Sequence, residues 1–268
     1  MNIFMFELRK YIGSLAVWIA SIVALLVMFM AFYPVLAQDA AMLDLFLEHY
    51  PEELLKAFGM GGELSLATVA GFFAFSFAFT QLVIAAQSAY YGFHFMSVEE
   101  REMTADFLYA KPVSRPQILL AKYGAAGGAL LITNVGVWFG SFLAINLFRG
   151  AADYELWPLV SLLLTVPVFQ LFFFSLGFVV TAVSKKTVSV IGAAVGVSFV
   201  LYMLNALRRI VGGELLGLLS PYYHFDPNYI LLAGAWHPLL TAISVSFIIV
   251  ANFAAVRLYL RRDLRSAT

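Results

Sequence analysis

The chain has 268 residues, of which 62% are hydrophobic and 12% charged, against about 45–50% apolar and about 25% charged in soluble domains. With a mean hydropathy of +0.89, this excludes a water-soluble enzyme, a nucleic-acid-binding protein and a disordered chain. Sixteen Lys plus Arg balance sixteen Asp plus Glu, so net charge points to no acidic or basic partner, and zero cysteines exclude disulfides, thiolate metal sites and cysteine nucleophiles.

Runs free of Asp, Glu, Lys and Arg occur at Tyr11–Gln38, Leu64–Val98, Tyr123–Phe148, Leu156–Ser184, Thr187–Leu207 and Pro227–Val256. Each can cross roughly 30 Å of hydrocarbon at about 1.5 Å per residue. They predict an all-α polytopic membrane protein with spans at 11–37, 65–95, 117–147, 157–183, 187–207 and 237–257. Barrel strands alternate apolar and polar side chains, whereas these runs are apolar all round. The first run is preceded by Arg9 and Lys10, and Val35-Leu36-Ala37 resembles a signal-peptidase site. A signal-peptide core is only about 7–15 residues long, so the run reads as an uncleaved first span.

Lys and Arg set the orientation. With the N-terminus in the cytosol, the inner segments hold Arg9, Lys10, Arg101, Lys111, Arg115, Lys122, Lys185, Lys186, Arg257, Arg261, Arg262 and Arg265. The outer segments hold only Lys56, Arg149, Arg208 and Arg209. Both termini, including the 258–268 tail, are therefore expected in the cytosol. Trp157-Pro158 and Trp236-His237-Pro238 at outer ends, and Tyr11, Tyr90, Tyr91 and Tyr123 at inner ends, suit the headgroup layers.

Three connections are long enough to carry structure. The outer segment 39–63 has apolar stripes at Leu43, Phe46 and Leu47 and at Leu54, Leu55 and Phe58, with a helix start at Pro51-Glu52-Glu53. In the inner segment 97–116, Ser97-Val98-Glu99-Glu100 fits a capping box that starts a short charged helix. Lys111-Pro112 ends that helix, and Ser114-Arg115-Pro116 caps the next one, which enters the membrane through Lys122. Such a helix either contacts a cytosolic partner or is a solvated turn; the residues alone leave both open. The outer segment 208–236 is rich in leucine around Ser220-Pro221-Tyr222-Tyr223. It predicts two short helices dipping into the leaflet and packed against other spans.

No nucleotide-binding loop exists, because Lys185 occupies the glycine position before Lys186-Thr187. His49, His94, His224 and His237 lack metal-ligand spacing, and no Ser/His/Asp motif is present. The spans hold amides, Gln81, Gln87, Asn134, Gln170, Asn205 and Asn252, rather than carboxylates. These amides are expected to hydrogen-bond neighbouring helices. Small-residue pairs at Gly124–Gly128, Gly136–Gly140 and Gly192–Gly196 permit close helix contact within one chain or between two.

The inner segment Glu99-Glu100-Arg101-Glu102-Met103-Thr104-Ala105-Asp106-Phe107-Leu108-Tyr109-Ala110-Lys111-Pro112-Val113-Ser114-Arg115, followed by Lys122, resembles the loop after the second span in permease subunits of type-2 ABC transporters, also called the type V exporter fold. Met103 stands where that pattern most often has glycine. Tyr50–Gly59 and Leu219-Ser220-Pro221-Tyr222 also resemble the family's outer loops. The resemblance implies six spans, an interfacial helix over 1–10, outer helices before the sixth span, and a coupling helix after the second. It implies two separate ABC ATPase subunits below the membrane, which carry ATP and Mg. It also implies a second permease chain, identical or homologous, often paired through the first and fifth spans. The residues expected to contact the ATPase are Ser97, Glu99, Glu100, Arg101 and Glu102, with Thr104, Asp106 and Arg115 behind them. Gly192 and Gly196 are expected on a packing or dimer face. The implied function is export across a prokaryotic cytoplasmic membrane, with membrane lipid but no nucleic acid as a further partner, and the acid-free interior of the spans favours a hydrophobic or amphipathic substrate. Force transmission without export fits the same residues. Rival readings are a membrane enzyme acting on lipids, which would show a polar cluster near one face, and an ion-coupled secondary transporter, which would show midplane charges and an internal repeat.

Overall fold

The computed structural model describes residues 3–38, 47–60, 63–101, 114–184 and 189–261. In chain order the helices are α1 (Ile3–Met30), α2 (Tyr33–Ala37), α3 (Glu52–Ala57), α4 (Val69–Arg101), α5 (Arg115–Phe148), α6 (Leu156–Val183), α7 (Val190–Val211), α8 (Glu214–Gly217), α9 (Pro221–His224), α10 (Pro227–Ala233) and α11 (Pro238–Arg261). No strand occurs among the described residues. Six helical stretches are long and apolar enough to cross a membrane: Tyr11–Ala37, Val69–His94, Pro116–Phe148, Leu156–Val183, Val190–Val211 and Pro238–Leu260. The protein is a multi-pass membrane protein.

Several boundaries differ from the sequence expectation. Helix α1 runs unbroken from Ile3 into the first span, so the described part of 1–10 continues that rod rather than forming a separate helix. Glu7, on this part of the rod, is buried. The first span bends after Met30, because Pro34 in the first turn of α2 has no N–H to continue the ladder. Three short helices, not two, precede the sixth span. Pro221 and Pro227 each open a new first turn, where a missing N–H costs nothing.

Helices α4 and α6 form the centre, with 72% and 67% of their span windows buried, against 22% for both the first and sixth spans. Helices α1 and α5 pack along each other on one flank, α7 lies on α4, and α11 lies on α6. Gly136 and Gly140 let α5 approach α1. A Cβ on them would come within 2.7 Å of Ile19 and 2.9 Å of Val23. That small-residue pair packs within the chain.

Helices α4 and α6 approach closely enough for backbone to meet backbone. A Cβ on Gly92 would sit 2.1 Å from the carbonyl oxygen of Phe174, and one on Gly177 would sit 2.7 Å from that of Ala89. Backbone therefore touches backbone, and no flexible side chain can yield. Helices α3 and α8–α10 gather at one end of the bundle, the capped end. The other end, where α4 finishes and α5 begins, is the hairpin end.

Overpacking a filled interior costs about 1–3 kcal/mol, and backbone cannot repack around an added methyl. Gly92→Ala should lower the melting temperature in detergent by at least that cost. Gly196→Ala has nothing within 4 Å of the new methyl and should melt within about 0.5 kcal/mol of the parent.

Candidate functional site

At the hairpin end, α4 does not stop where its apolar window does. The window ends at His94, but the helix continues to Arg101. Ser97, Glu99, Glu100 and Arg101 therefore ride on a rigid extension of roughly 10 Å at about 1.5 Å per residue. The expected helix start at Ser97 is corrected here, since the segment is the last two turns of α4. Nothing between Gly92 and Ser97 breaks a helix. Starting anew would also leave the last four carbonyls of α4 without partners. Ser114 does begin the next helix as predicted, with its N–H donating to Gln117 Oε1 at 3.1 Å. Arg115 is the first residue of α5. The helix end expected at Lys111-Pro112, together with Glu102, Thr104 and Asp106, lies outside the described residues. The structure thus places five of the predicted contact residues on two helices that flank one connection.

Behind this extension, amide and hydroxyl groups tie the spans together. Gln87 Nε2 on α4 donates to Thr133 Oγ1 on α5 at 2.8 Å. Asn134 on α5 donates to Gln170 on α6. Asn252 on α11 donates to Ser175 Oγ on α6 at 2.6 Å and accepts from Tyr123 OH on α5 at 2.8 Å. Gln81 Nε2 reaches the Phe225 carbonyl at the capped end, 2.9 Å away. Asn205 departs from the expectation and accepts from Arg208 Nε on its own helix at 3.2 Å. The other bridges are the interhelical contacts that the sequence predicted, each worth roughly 0.6 kcal/mol in a membrane. Two charged side chains, Glu7 on α1 and Lys122 on α5, are buried toward the hairpin end.

A bundle of six spans, with the second prolonged into a charged connection before the third, is the arrangement expected of a permease. The model of the ABC-2 family transporter proteins matches residues 1–244, which is most of the chain. The chain belongs to the ABC-2 transporter family. No curated protein matches it. ABC-2 permeases are the membrane components of transporters, and the family works in general with an ABC ATPase. Among the described residues no group of three His, Cys, Asp or Glu is placed to hold a metal. Gly192 and Gly196 lie in the first two turns of α7, and Gly196 faces open space.

The capped end holds features of this ABC-2 permease that sequence reading passed over. Tyr222 is buried among Phe169, Phe173 and Tyr202, with ring centroids 5.3, 5.6 and 5.4 Å away. Ser220 Oγ donates to the Leu201 carbonyl at 2.9 Å, and Trp236 Nε1 to that of Ser161 at 2.9 Å. The 208–236 segment is thus packed against spans, as expected, although Leu215 and Leu219 face outward while Ile230 and Leu231 are covered. His224 joins α9 to α11. Its Nε2 lies 3.1 Å from the Leu218 carbonyl and its Nδ1 lies 2.7 Å from Ser244 Oγ. A carbonyl can only accept, so Nε2 carries the proton and Nδ1 accepts from the serine. Burial holds the His224 pKa down at about 4.

The folded form therefore resists protonation that the unfolded chain, with an ordinary histidine pKa of about 6.5, accepts readily. Stability from this contact is complete above about pH 6.5 and is lost as pH falls toward 4. Melting curves in detergent should show that decline between those values. His224→Gln should flatten it.

Proposed function

We propose that this ABC-2 permease is half of an exporter whose partner ATPases act on the hairpin end. The reading is carried by one observation, the unbroken helix from Val69 to Arg101. It links the charged turn Ser97–Arg101 directly to the Gly92–Gly177 contact between the two central helices, near the hairpin end. A push on that turn has no joint in which to dissipate before it reaches α6. Closure of the ATPases on ATP and Mg would tilt the α4–α6 pair against a second permease chain. The exposed side of α7 with Gly192 and Gly196 would serve as part of the pairing face. The bridging groups within the spans are amides and hydroxyls, which supports a hydrophobic or amphipathic substrate, since small ions are usually handled by charged groups at the midplane. The hairpin end, with its excess of Lys and Arg, is read as cytosolic and the capped end as external, in a prokaryotic cytoplasmic membrane.

Charge reversal of Glu99 and Glu100 to lysine should abolish substrate-stimulated ATP hydrolysis in the reconstituted complex and leave the permease folded. Stimulation at the parent level would remove this segment from coupling. The chain has no cysteine, so single cysteines report topology cleanly. Asp153→Cys should react with a membrane-impermeant maleimide on intact cells, and Ser114→Cys only after permeabilisation. The reverse pattern would invert the proposed orientation.

A further inference from the structure

Positive charge is disfavoured on the external side of a membrane protein, yet Arg208 and Arg209 are adjacent in the last turn of α7 at the capped end. Each has a built setting. Gly59, held at φ 74°, lies so close to Arg209 that a Cβ there would meet Nη1 at 2.6 Å. Gly217 lies equally close to the Arg208 stem, where a Cβ would meet Cδ at 2.7 Å. The Arg208 guanidinium stacks 3.8 Å from the centroid of Tyr223. The two arginines differ in how far they are neutralised. Arg209 Nη2 pairs with Asp226 Oδ2 at 2.8 Å, and the other oxygen of Asp226 accepts from the Asn228 N–H at 2.9 Å. Asp226 is therefore fully engaged. Arg208 donates Nε to Asn205, but its terminal nitrogens reach no acceptor among the described residues.

Arg208 lines a pocket of about 400 Å³ between α3, the end of α7 and the α8–α10 cap. Lys56, Arg208 and Arg209 line it against Glu214 and Asp226, a net charge of +1. Lys56 is held only by Glu52, 2.6 Å away on an exposed turn of α3. Exposed pairs of this kind hold weakly, so Lys56, already on the pocket wall, can exchange Glu52 for a ligand. Phe58, Val211 and Leu215 adjoin the lining residues Gly59, Gly212 and Glu214, and all three are exposed. A planar guanidinium with its terminal donors unused, a second movable cation and an apolar rim at the end of a span match one chemistry, a phosphate joined to acyl chains.

We propose that this pocket seats the phosphate of a glycerophospholipid from the adjoining leaflet. Arg208 is its main ligand, Lys56 its second cation, and the acyl chains lie over Val211 and Leu215. The seat fixes the capped end of α7 to the lipid layer, independently of what the transporter moves.

The test is calorimetric titration of the detergent-solubilised protein with three probes: a six-carbon-chain phosphatidylglycerol, the matching diacylglycerol without phosphate, and inorganic phosphate. The phospholipid should bind saturably, the diacylglycerol should not, and inorganic phosphate should fail to displace the phospholipid at equal concentration. Charge-assisted hydrogen bonds contribute about 1.5–3 kcal/mol, so Arg208→Gln should weaken phospholipid binding at least about tenfold. Lys56→Gln, on an exposed helix, is the control should the first variant not fold, and it should weaken binding in the same direction. Parent affinity in folded Arg208→Gln, or in Lys56→Gln if that variant alone folds, overturns the proposal. So does equal binding of diacylglycerol, or displacement by inorganic phosphate as effective as by the lipid itself.

Discussion

The bundle depends on the crossing of α4 and α6, where Gly92 and Gly177 bring two backbones into contact. In lipid the hydrophobic effect does not drive helices together, because acyl chains are as apolar as leucine. Association rests on close packing and interhelical hydrogen bonds. At Gly92 the packing reaches its limit, since the facing atom is a carbonyl oxygen rather than a side chain. Other contacts are arranged around this one. The Gln87–Thr133 and Asn134–Gln170 bonds attach α5 to the central pair, and the Asn252–Ser175 bond attaches α11.

Helix α4 runs through this crossing without a break. A helix transmits displacement along its axis when its ladder is unbroken, and α4 has no proline from Val69 to Arg101. It is tied to the capped segment as well, since Gln81 holds the Phe225 carbonyl. The capped end is thus tied to the same helix that projects from the hairpin end. The first and sixth spans, mostly exposed on the single chain, are free to face lipid or a partner.

The capped end shows how an apolar connection can be packed against spans. Its backbone is organised into three short helices, and its side chains donate to the carbonyls of Leu201, Ser198 and Ser161 on the spans. His224 completes this network as a neutral ring between a carbonyl and a hydroxyl. The arginine pair at the end of α7 divides two tasks. Arg209 closes an ion pair within the fold, whereas Arg208 stacks on Tyr223 and bonds Asn205.

The number and length of the spans were legible in sequence, because an uncharged run of about 20 residues has few other stable uses. Family membership was legible in the charged segment from Glu99 to Arg115, where residue types recur at fixed spacing. The start of α5 at Ser114 was legible from capping chemistry. Ser97 misled because a capping box describes what a helix start looks like, not where a preceding helix must end. Only the tertiary structure decided which small residues mattered. Gly92 and Gly177 are not spaced as a pair on either helix, and their closeness arises from a crossing that no single segment encodes. The same holds for the pocket at Arg208, whose lining comes from α3, the end of α7 and the capping segment that follows it. Local sequence sets what a segment can form; which segments meet depends on how all six helices fill space together.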